Sequence, residues 1–321
     1  MSAEPVNPEG PISLIVRGMR WEADGALAMR LEHPDGVELP EWEAGAHIDV
    51  TLPNGVERQY SLVSDPRERT HWAIVVLRED VSRGGSRFIH RELRPGDALV
   101  SSPPRNNFAY GPAEETIFIA GGIGMTAILP MIREAELAES RWRLLYIGRS
   151  LSRMAFLRHN LLAGPHSTIL AGDRDARVDL KAWIGDVGED HAVYACGPQR
   201  MLDELETLSV DWPAGTLHVE RFQPKSFDDF GDGEAFEVEA RTSGLRVTVD
   251  AGCSILDALE KAGIPVPSSC LEGVCGTCET RIIDGEAEHR DSILDPIEQQ
   301  ANETMMICVS RSKTPTLVLD I

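Results

Sequence analysis

Three cysteines lie within nine residues of one another, and a fourth follows after 29 intervening residues. Thiolates are strong ligands for metals, and a loop that carries several of them must wrap closely around the bound group. Gly273 and Gly276 permit such an approach, because glycine adopts backbone angles that other residues avoid. The pattern therefore predicts a metal-binding or redox loop. The spacing C-x4-C-x2-C-x29-C is set by Cys270, Cys275, Cys278 and Cys308.

Other uses of these cysteines fit the spacing less well. A structural zinc site usually pairs C-x2-C with a second short-spaced pair, which this chain lacks. A disulfide would be unusual in the reducing cytoplasm, where we expect the protein to reside. Residues 236–321 resemble the plant-type 2Fe-2S ferredoxin domain, which implies one 2Fe-2S cluster on the four thiolates. Cys253 has no partner by spacing, so we expect it to be a small core residue.

Charge and composition restrict the class of protein further. The formal net charge of −21 disfavours nucleic-acid binding, since phosphate groups need a basic surface. The acidic surface either serves solubility alone or docks a basic partner. No run of 18 apolar residues occurs, so we expect no membrane-spanning segment. The polar, proline-rich start MSAEPVNPEGP differs from a secretory signal, which favours the cytoplasm.

Hydrophobic periodicity divides the chain into four segments. Residues 1–113 contain short strands separated by turn signals, which predicts an antiparallel β-barrel. Residues 114–222 alternate apolar runs such as TIFIA with helical stretches, which predicts an α/β domain with a parallel sheet. The polar segment 223–235 predicts a linker. Residues 236–321 predict an α+β domain, for which the ferredoxin resemblance implies a β-grasp fold.

Two motifs in the first segment suit a flavin nucleotide. In RQYS, Arg58 can pair with a phosphate, Tyr60 can cover a flat ring, and Ser61 can donate a hydrogen bond to a ring nitrogen. In RGGS, successive backbone N–H groups and a hydroxyl can form an anion-binding nest. An isolated copy of either motif is usually only a strand or a turn, so neither is specific alone.

Together with a glycine-rich turn that follows them, these motifs resemble the ferredoxin-NADP reductase superfamily. The resemblance implies that the arginine and the GGS turn hold the flavin phosphate, that the tyrosine packs on the isoalloxazine and that the serine contacts its N5. It also implies that backbone of the next strand lines the flavin. Phe222 either packs on the flavin or is an ordinary core residue. The implied flavin-binding residues are Arg58, Tyr60, Ser61, Val75, Leu77, Gly84, Gly85, Ser86, Thr126 and Phe222.

The second segment carries a nicotinamide-binding signature. AGGIGMT differs from the G-x-G-x-x-G fingerprint, but its glycines still permit a tight turn into a helix whose N-terminus attracts anions. YACGPQRM resembles the C-G-P motif that lies beside the nicotinamide in the superfamily, although its cysteine also suits a buried structural thiol. The stretch after WRLLYIG should face the ribose whose 2′-phosphate distinguishes NADPH from NADH. The implied residues are Gly121, Gly122, Gly124, Met125, Arg149, Ser150, Cys196, Gly197 and Pro198.

The order of the three modules resembles the phthalate dioxygenase reductase family over nearly the whole chain, on the motifs RQYSL, RGGS, AGGIGMT, CGP, CGTCE and GEAEHRD. The resemblance implies FMN, NADH with NADPH possible, and a Rieske-type oxygenase as electron acceptor. Two alternatives stay open. The first is a stand-alone flavin reductase or diaphorase, although such an enzyme needs no fused ferredoxin. The second is a non-enzymatic redox sensor, although a sensor needs no intact flavin and nicotinamide motifs.

The last segment is acidic and suggests how a partner docks. Residues 236–321 contain 15 Asp plus Glu against 7 Lys plus Arg. Glu272, Glu279 and Asp284 lie in or near the cysteine loop. These acids either attract a basic patch on an oxygenase or only solvate the surface.

Overall fold

The computed structural model describes residues 10–79, 84–224 and 234–321. The chain divides into two compact units, Met1–Glu220 and Arg221–Ile321, so the predicted barrel and the predicted α/β segment as far as Glu220 belong to the first unit. The start of the chain, Arg83 of RGGS and most of the predicted linker 223–235 lie outside the described residues. No helix in the described ranges is long and apolar enough to cross a membrane.

The N-terminal sheet is antiparallel, as the alternating strands predict. Its strands are β1 (Ile12–Ala23), β2 (Ala26–Glu32), β3 (His47–Thr51), β4 (Glu57–Ser61), β5 (Trp72–Leu77) and β6 (Ala98–Ser101), accompanied by helix α1 (Gly85–Arg91). They are ordered β4-β3-β6-β1-β2-β5. Alternate residues of β1 point inward, and the fully buried Trp72 lies in the same core. The outermost strands β4 and β5 also approach each other, because the N–H of Val63, two residues after β4, donates to the carbonyl of Ala73 in β5 at 2.9 Å.

The second sheet is parallel and has five strands. They are β7 (Glu115–Gly121), β8 (Arg141–Gly148), β9 (Ser167–Ala171), β10 (His191–Cys196) and β11 (Leu217–Glu220), with helices α2 (Met125–Leu137), α3 (Leu180–Ile184) and α4 (Gln199–Leu208). The order β11-β10-β7-β8-β9 places β7 beside β10 at the centre. The strand order reverses between these two strands, and such a switch point is where α/β sheets bind ligands.

An aromatic contact joins the two sheets of the first unit. The hydroxyl of Tyr194, on β10, accepts the Gly111 N–H at 2.8 Å. The ring of Tyr194 stacks on that of His218 at 4.5 Å, and Phe108 meets its edge. From α2, Arg133 donates to the carbonyl of Ser64 at 2.8 Å. These contacts hold the barrel against the parallel sheet.

The C-terminal unit has a mixed sheet and a short two-stranded pair. Its elements are β12 (Phe236–Ala240), β13 (Leu245–Val249), α5 (Ile255–Lys261), β14 (Glu279–Asp284), β15 (Ala287–Glu288), α6 (Pro296–Ala301), β16 (Thr304–Met306), β17 (Arg311–Ser312) and β18 (Thr316–Leu319). The sheet order is β13-β12-β18-β14-β16, with β12 and β18 parallel. Ser254 caps α5 by accepting the Asp257 N–H at 3.0 Å. The predicted three-part fold is confirmed.

A buried arginine ties this unit together. Arg311 is only 1% exposed and donates to the carbonyls of Cys253 at 2.8 Å, Glu234 at 3.1 Å and Asp250 at 3.3 Å. Its guanidinium carbon lies 5.0 Å from the centroid of the Phe236 ring. The planar group therefore links three carbonyls from separate places in the unit, of which that of Asp250 also accepts the Cys253 N–H at 3.1 Å.

Replacing Arg311 with Leu should lower the free energy of unfolding of the C-terminal unit. A carbonyl that loses its donor away from water costs roughly 1–3 kcal/mol, and the Asp250 carbonyl keeps the Cys253 N–H, so we expect a total loss of about 2 kcal/mol. The matched control is Arg246→Leu, whose side chain is 64% exposed in its ion pair with Glu239 and should contribute less than about 1 kcal/mol. Urea unfolding followed by circular dichroism measures both, and equal losses would contradict the assignment.

Candidate functional site

Two turns lie in contact at the carboxyl edge of the parallel sheet. A Cβ added to Gly124 would overlap the carbonyl of Cys196, and one added to Gly197 would be 2.8 Å from the Cα of Gly121. A Cβ on Gly121 would likewise overlap Pro198. Backbones can approach this closely only where side chains are missing. The structure thus brings together the two motifs that the sequence assigns to the nicotinamide.

The start of α2 is fixed from both sides of this turn. Thr126 is buried, and its hydroxyl donates to the carbonyl of Ile123 at 2.9 Å. From β8, the hydroxyl of Tyr146 donates to the carbonyl of Gly122 at 3.1 Å. Met125 is fully buried. Thr126 therefore shapes the turn, whereas the backbone of the glycines forms its surface.

A carboxyl group that sequence reasoning missed lies beside this edge. Glu220 ends β11 directly opposite Cys196, which is fully buried. Glu220 is half-buried as a residue, but its Oε2 is shielded from solvent and has no hydrogen-bond partner among the described residues. Burial raises the pKa of Glu220 to about 8. Burial, with Glu220 nearby, also raises the pKa of the Cys196 thiol well above its usual value. A carboxyl that is protonated at neutral pH can donate a hydrogen bond to a bound group.

The predicted flavin-phosphate residues lie together in the barrel. A Cβ on Gly85 would be 2.7 Å from the Cγ of Arg58, so the arginine stem crosses this glycine. Gly84 has a φ of 100° and precedes α1, and the hydroxyl of Ser86 accepts the Glu79 N–H at 3.3 Å. The chain therefore folds RQYS against the GGS turn, although the two are far apart in sequence.

Ser61 fits a bound ring. It is 6% exposed, and its hydroxyl has no hydrogen-bond partner in the described part of the chain. A buried hydroxyl normally finds a partner, so a flavin nitrogen at this position would satisfy it. Its neighbour Tyr60 is half-buried and packs against the barrel core. On β5, Val75 is buried and Leu77 is 36% exposed. Phe222 belongs to the second unit and is 41% exposed, more than expected of a core residue.

A buried polar network behind Ser61 was not foreseen from the sequence. Asp49 is 4% exposed and accepts from Arg105 at 2.6 Å and from Gln59 at 2.9 Å. His47 lies opposite Ser61 in the β3–β4 register. Burial, and then the charge of Arg105, lower the pKa of His47 to about 4, against the opposing effect of Asp49. At neutral pH this part of the barrel therefore has an uncharged imidazole.

The loop after β8 is the stretch that the sequence predicts to face the ribose. Arg149 is exposed, and the hydroxyls of Ser150 and Ser152 are 3.3 Å apart. The Asp173 N–H donates to the carbonyl of Arg149 at 3.0 Å. Residues 149–153 contain two arginines and no carboxylate.

The cysteine loop forms two pairs of neighbouring sulfur atoms. A hydrogen bond between the side chains lowers the pKa of Cys275 and raises that of Cys270. A second hydrogen bond, between the side chains of Cys278 and Cys308, lowers the pKa of Cys278 and raises that of Cys308. No group of three or more His, Cys, Asp or Glu in the described ranges is placed to hold a single metal ion. Two thiol pairs suit a centre with two irons better than one tetrahedral ion.

Backbone donors already point at these sulfurs. The Glu272 N–H donates to Cys270 Sγ at 3.3 Å, and the Thr277 N–H donates to Cys275 Sγ at 3.4 Å. Gly273 and Gly276 have φ angles of 68° and 75°, the left-handed conformation for which glycine is suited. The loop therefore has the shape and the donors that a cluster of negatively charged sulfurs requires.

The raised pKa of Glu220 gives a testable pH dependence. Between about pH 4.5 and 8 the folded protein keeps a proton that the unfolded chain has lost, so the free energy of unfolding falls as pH rises through this window. Glu220→Gln should remove this dependence. One pKa unit corresponds to about 1.4 kcal/mol, and partial exposure reduces the effect, so we expect a difference of roughly 2 kcal/mol. Urea unfolding at pH 5 and 8 tests it, with the exposed Glu189→Gln as control; parallel pH profiles for Glu220→Gln and wild type would refute it.

Comparison with known proteins identifies this combination of sites. A family model described as a 2Fe-2S iron-sulfur cluster binding domain matches residues 238–313. The chain is 40% identical to phenoxybenzoate dioxygenase subunit beta of Ectopseudomonas oleovorans, covering 97% of this chain and 98% of that one. The structure of phthalate dioxygenase reductase, described as modular for electron transfer from pyridine nucleotides to [2Fe-2S], matches with 35% identity and a TM-score of 0.70 over 98% of this chain and 100% of that one.

A longer protein contains a similar module. An intact type IV self-sufficient cytochrome P450 monooxygenase matches with 39% identity and a TM-score of 0.90, over 100% of this chain and 43% of that one. The full-length matches place the flavin, nicotinamide and iron–sulfur modules in one family. The chain therefore belongs to the phthalate dioxygenase reductase family and is an oxidoreductase that carries electrons from a nicotinamide dinucleotide through a flavin and a 2Fe-2S cluster to an oxygenase.

Proposed function

We propose that the chain is the FMN-containing, NADH-dependent reductase component of a cytoplasmic two-component Rieske oxygenase. The observation that supports this most directly is the presence, in one chain, of the paired-thiol loop and the joined glycine turns. We propose the domain limits 1–113 for the FMN barrel, 114–222 for the nicotinamide domain, 223–235 for the linker and 236–321 for the ferredoxin domain.

The barrel residues are proposed to hold FMN. Arg58 and the N–H groups of Gly84–Ser86 would bind a terminal phosphate, since the guanidinium already lies against Gly85. Ser61 would satisfy its hydroxyl on the flavin ring. Tyr60, Val75, Leu77 and Thr126 are proposed to line the remaining surface, and the role of Phe222 stays a prediction from the sequence.

The turns at the sheet edge are proposed to hold the nicotinamide dinucleotide. The backbone of Gly121, Gly122, Gly124 and Met125 would face the pyrophosphate, because the N-terminus of α2 begins in this turn and attracts anions. Cys196, Gly197 and Pro198 would lie beside the nicotinamide; the raised pKa of Cys196 keeps it a neutral thiol that packs rather than reacts. Arg149 and Ser150 would face the ribose.

The four thiolates would hold the 2Fe-2S cluster, with N–H groups of Glu272 and Thr277 stabilising their negative charge. When bound, the flavin accepts two electrons as a hydride and releases them singly to the cluster. Plant-type clusters lie at about −400 mV and Rieske centres at roughly −150 to +300 mV, so transfer to a Rieske centre is downhill. The family relatives favour a partner that oxidises an aromatic acid.

A haem monooxygenase is a second candidate acceptor. The match to a module of the P450 monooxygenase, at a TM-score of 0.90, favours it. The two candidates differ in the acceptor alone, so the reductase chemistry is the same for both. The two candidates are separated by comparing the rates at which the reduced protein reduces a purified Rieske oxygenase and a purified P450.

Replacing a proposed ligand should separate the two electron-transfer steps. Cys278→Ser should lose the cluster and reduction of cytochrome c by NADH, but keep ferricyanide reduction at the flavin. Cys253→Ser, outside the proposed ligand set, is the matched control and should keep all three. We would measure acid-labile sulfide and visible absorbance to detect the cluster. Chromatography would identify the released flavin, which we expect to be FMN. Full cytochrome c reduction by the cluster-free variant would identify a diaphorase, and wild-type protein that NADH does not reduce would favour a sensor.

Coenzyme choice should respond to the charge at Ser150. We expect wild type to have the higher kcat/KM with NADH. Ser150→Asp should lower kcat/KM for NADPH by about tenfold and that for NADH by less than about threefold, because a carboxylate repels the 2′-phosphate. Ser150→Asn has a similar shape without the charge and should change neither by as much. Equal effects of the aspartate on both coenzymes would place the ribose elsewhere.

A further inference from the structure

The GEAEHRD motif, residues 285–291, has no part in the sites proposed above, yet its end lies directly behind the cysteine loop. The Ser292 N–H donates to the carbonyl of Gly273 at 2.9 Å. A Cβ added to Gly273 would be 2.6 Å from Cγ2 of Val309 and 3.1 Å from the Cα of Asp291, so a side chain there would separate the segments. The end of the motif therefore packs on the loop that carries three of the four proposed ligands.

The same segment also reaches the fourth proposed ligand. The Arg290 N–H donates at 3.1 Å to the hydroxyl of Ser310, which is fully buried two residues after Cys308. A hydrogen bond to Cys278 and burial raise the pKa of Cys308, whereas a hydrogen bond from the Gly273 N–H lowers it. Gly273 thus donates to a ligand sulfur and accepts from the segment behind it. Residues 290–292 therefore join the two ligand-bearing parts of the chain.

Asp291 is a buried acidic group at this junction. The residue is 1% exposed. Its Oδ2 accepts the N–H groups of Ile293 at 3.0 Å and Leu294 at 2.8 Å, two donors that suit a carboxylate. Its Oδ1 is shielded from solvent and has no hydrogen-bond partner in the part of the chain that the structure describes. One oxygen of the carboxylate is thus buried without a donor.

The charged and titratable neighbours do not neutralise this carboxylate. Nδ1 of His289 lies 3.8 Å from Oδ1, beyond hydrogen-bond distance. Burial lowers the pKa of His289, against the opposing charge of Asp291, so the imidazole is uncharged at neutral pH. Arg290 pairs instead with Glu288 at 2.8 Å.

A structural role alone does not explain why this residue is an acid. Burying a charge without a counter-ion is costly. The turn needs only an oxygen that accepts two N–H groups, and asparagine or serine supplies one without a charge. The negative charge of Asp291 therefore has a use beyond the turn.

We propose that Asp291 is a positioning residue for electron transfer, whose buried carboxylate joins the two ligand-bearing segments and keeps the midpoint potential of the bound cluster low. The proposal rests on the proposed function, in which the four thiolates hold the cluster, and deepens it. One electron is added in the step concerned, without transfer of a proton and without a bond forming or breaking. A fixed negative charge repels that electron, and a buried charge is screened less than an exposed one.

Asp291 opposes the backbone donors of the cysteine loop. The N–H groups of Glu272 and Thr277 point at ligand sulfurs and stabilise added negative charge, which raises the potential. The carboxylate behind Gly273 acts in the other direction. A lower potential makes the reduced protein a stronger reductant for a Rieske centre, which lies higher.

Asp291→Asn and Asp291→Ser remove the charge and keep an acceptor for the two N–H groups. The full-length protein with both cofactors is titrated anaerobically with dithionite, and the reduced cluster is followed by electron paramagnetic resonance. We expect the equilibrium to shift about tenfold toward the reduced form, a rise of about 59 mV for a one-electron couple. Glu279→Gln is the matched control, because Glu279 directly follows Cys278 but is exposed. Its loss should shift the equilibrium by less than about threefold, since water and salt screen it.

An unchanged or lowered midpoint potential in an Asp291 variant that keeps the cluster would overturn the proposal. An equal rise in Glu279→Gln would do the same, because burial of the charge would then be irrelevant. Loss of acid-labile sulfide from both Asp291 variants would also overturn it, since the carboxylate would then serve assembly of the cluster. A wild-type cluster that dithionite reduces but NADH does not would instead overturn the proposed function, and the effect of Asp291 would still be measurable.

Discussion

The contact between the glycine backbones at the edge of the parallel sheet is the constraint on which the first unit depends. Gly121, Gly124 and Gly197 let the turn after β7 and the turn after β10 meet where any side chain would separate them. This contact puts Cys196 in the interior and fixes the start of α2. The parallel register then carries Glu220 to the same edge. One close approach therefore aligns the groups of the nicotinamide site.

Sequence reasoning succeeded where a local stretch carries its own chemistry. The cysteine loop needs its glycines within a few residues of its thiols, so the positive φ angles of Gly273 and Gly276 follow from the sequence. The pairing of Cys278 with Cys308, which follows after 29 intervening residues, does not. RQYS and the GGS turn are also local, but only their joint presence made them informative. Their contact, seen in the stem of Arg58 against Gly85, depends on how the barrel strands pair.

Glu220 and His47 were missed for a common physical reason. Each is a single polar residue in a strand, and its altered pKa comes from burial and from neighbours supplied by other strands. Nothing adjacent in sequence marks either residue. Sequence periodicity predicts which face is buried, but not which polar group is buried without a partner.

The acidic charge of residues 236–321 acts on a partner mainly before contact. At physiological ionic strength, charge interactions are screened over about 8 Å, so the excess of acidic groups influences a partner mainly before contact. At contact, water must leave, and the desolvation of a carboxylate would offset its attraction for a cation. A reductase that must bind briefly and release its partner gains speed of association from peripheral charge and retains a weak, quickly reversible contact by keeping charge out of the centre. Glu279 and Asp284 are exposed, so they can contribute to this attraction before contact without being desolvated.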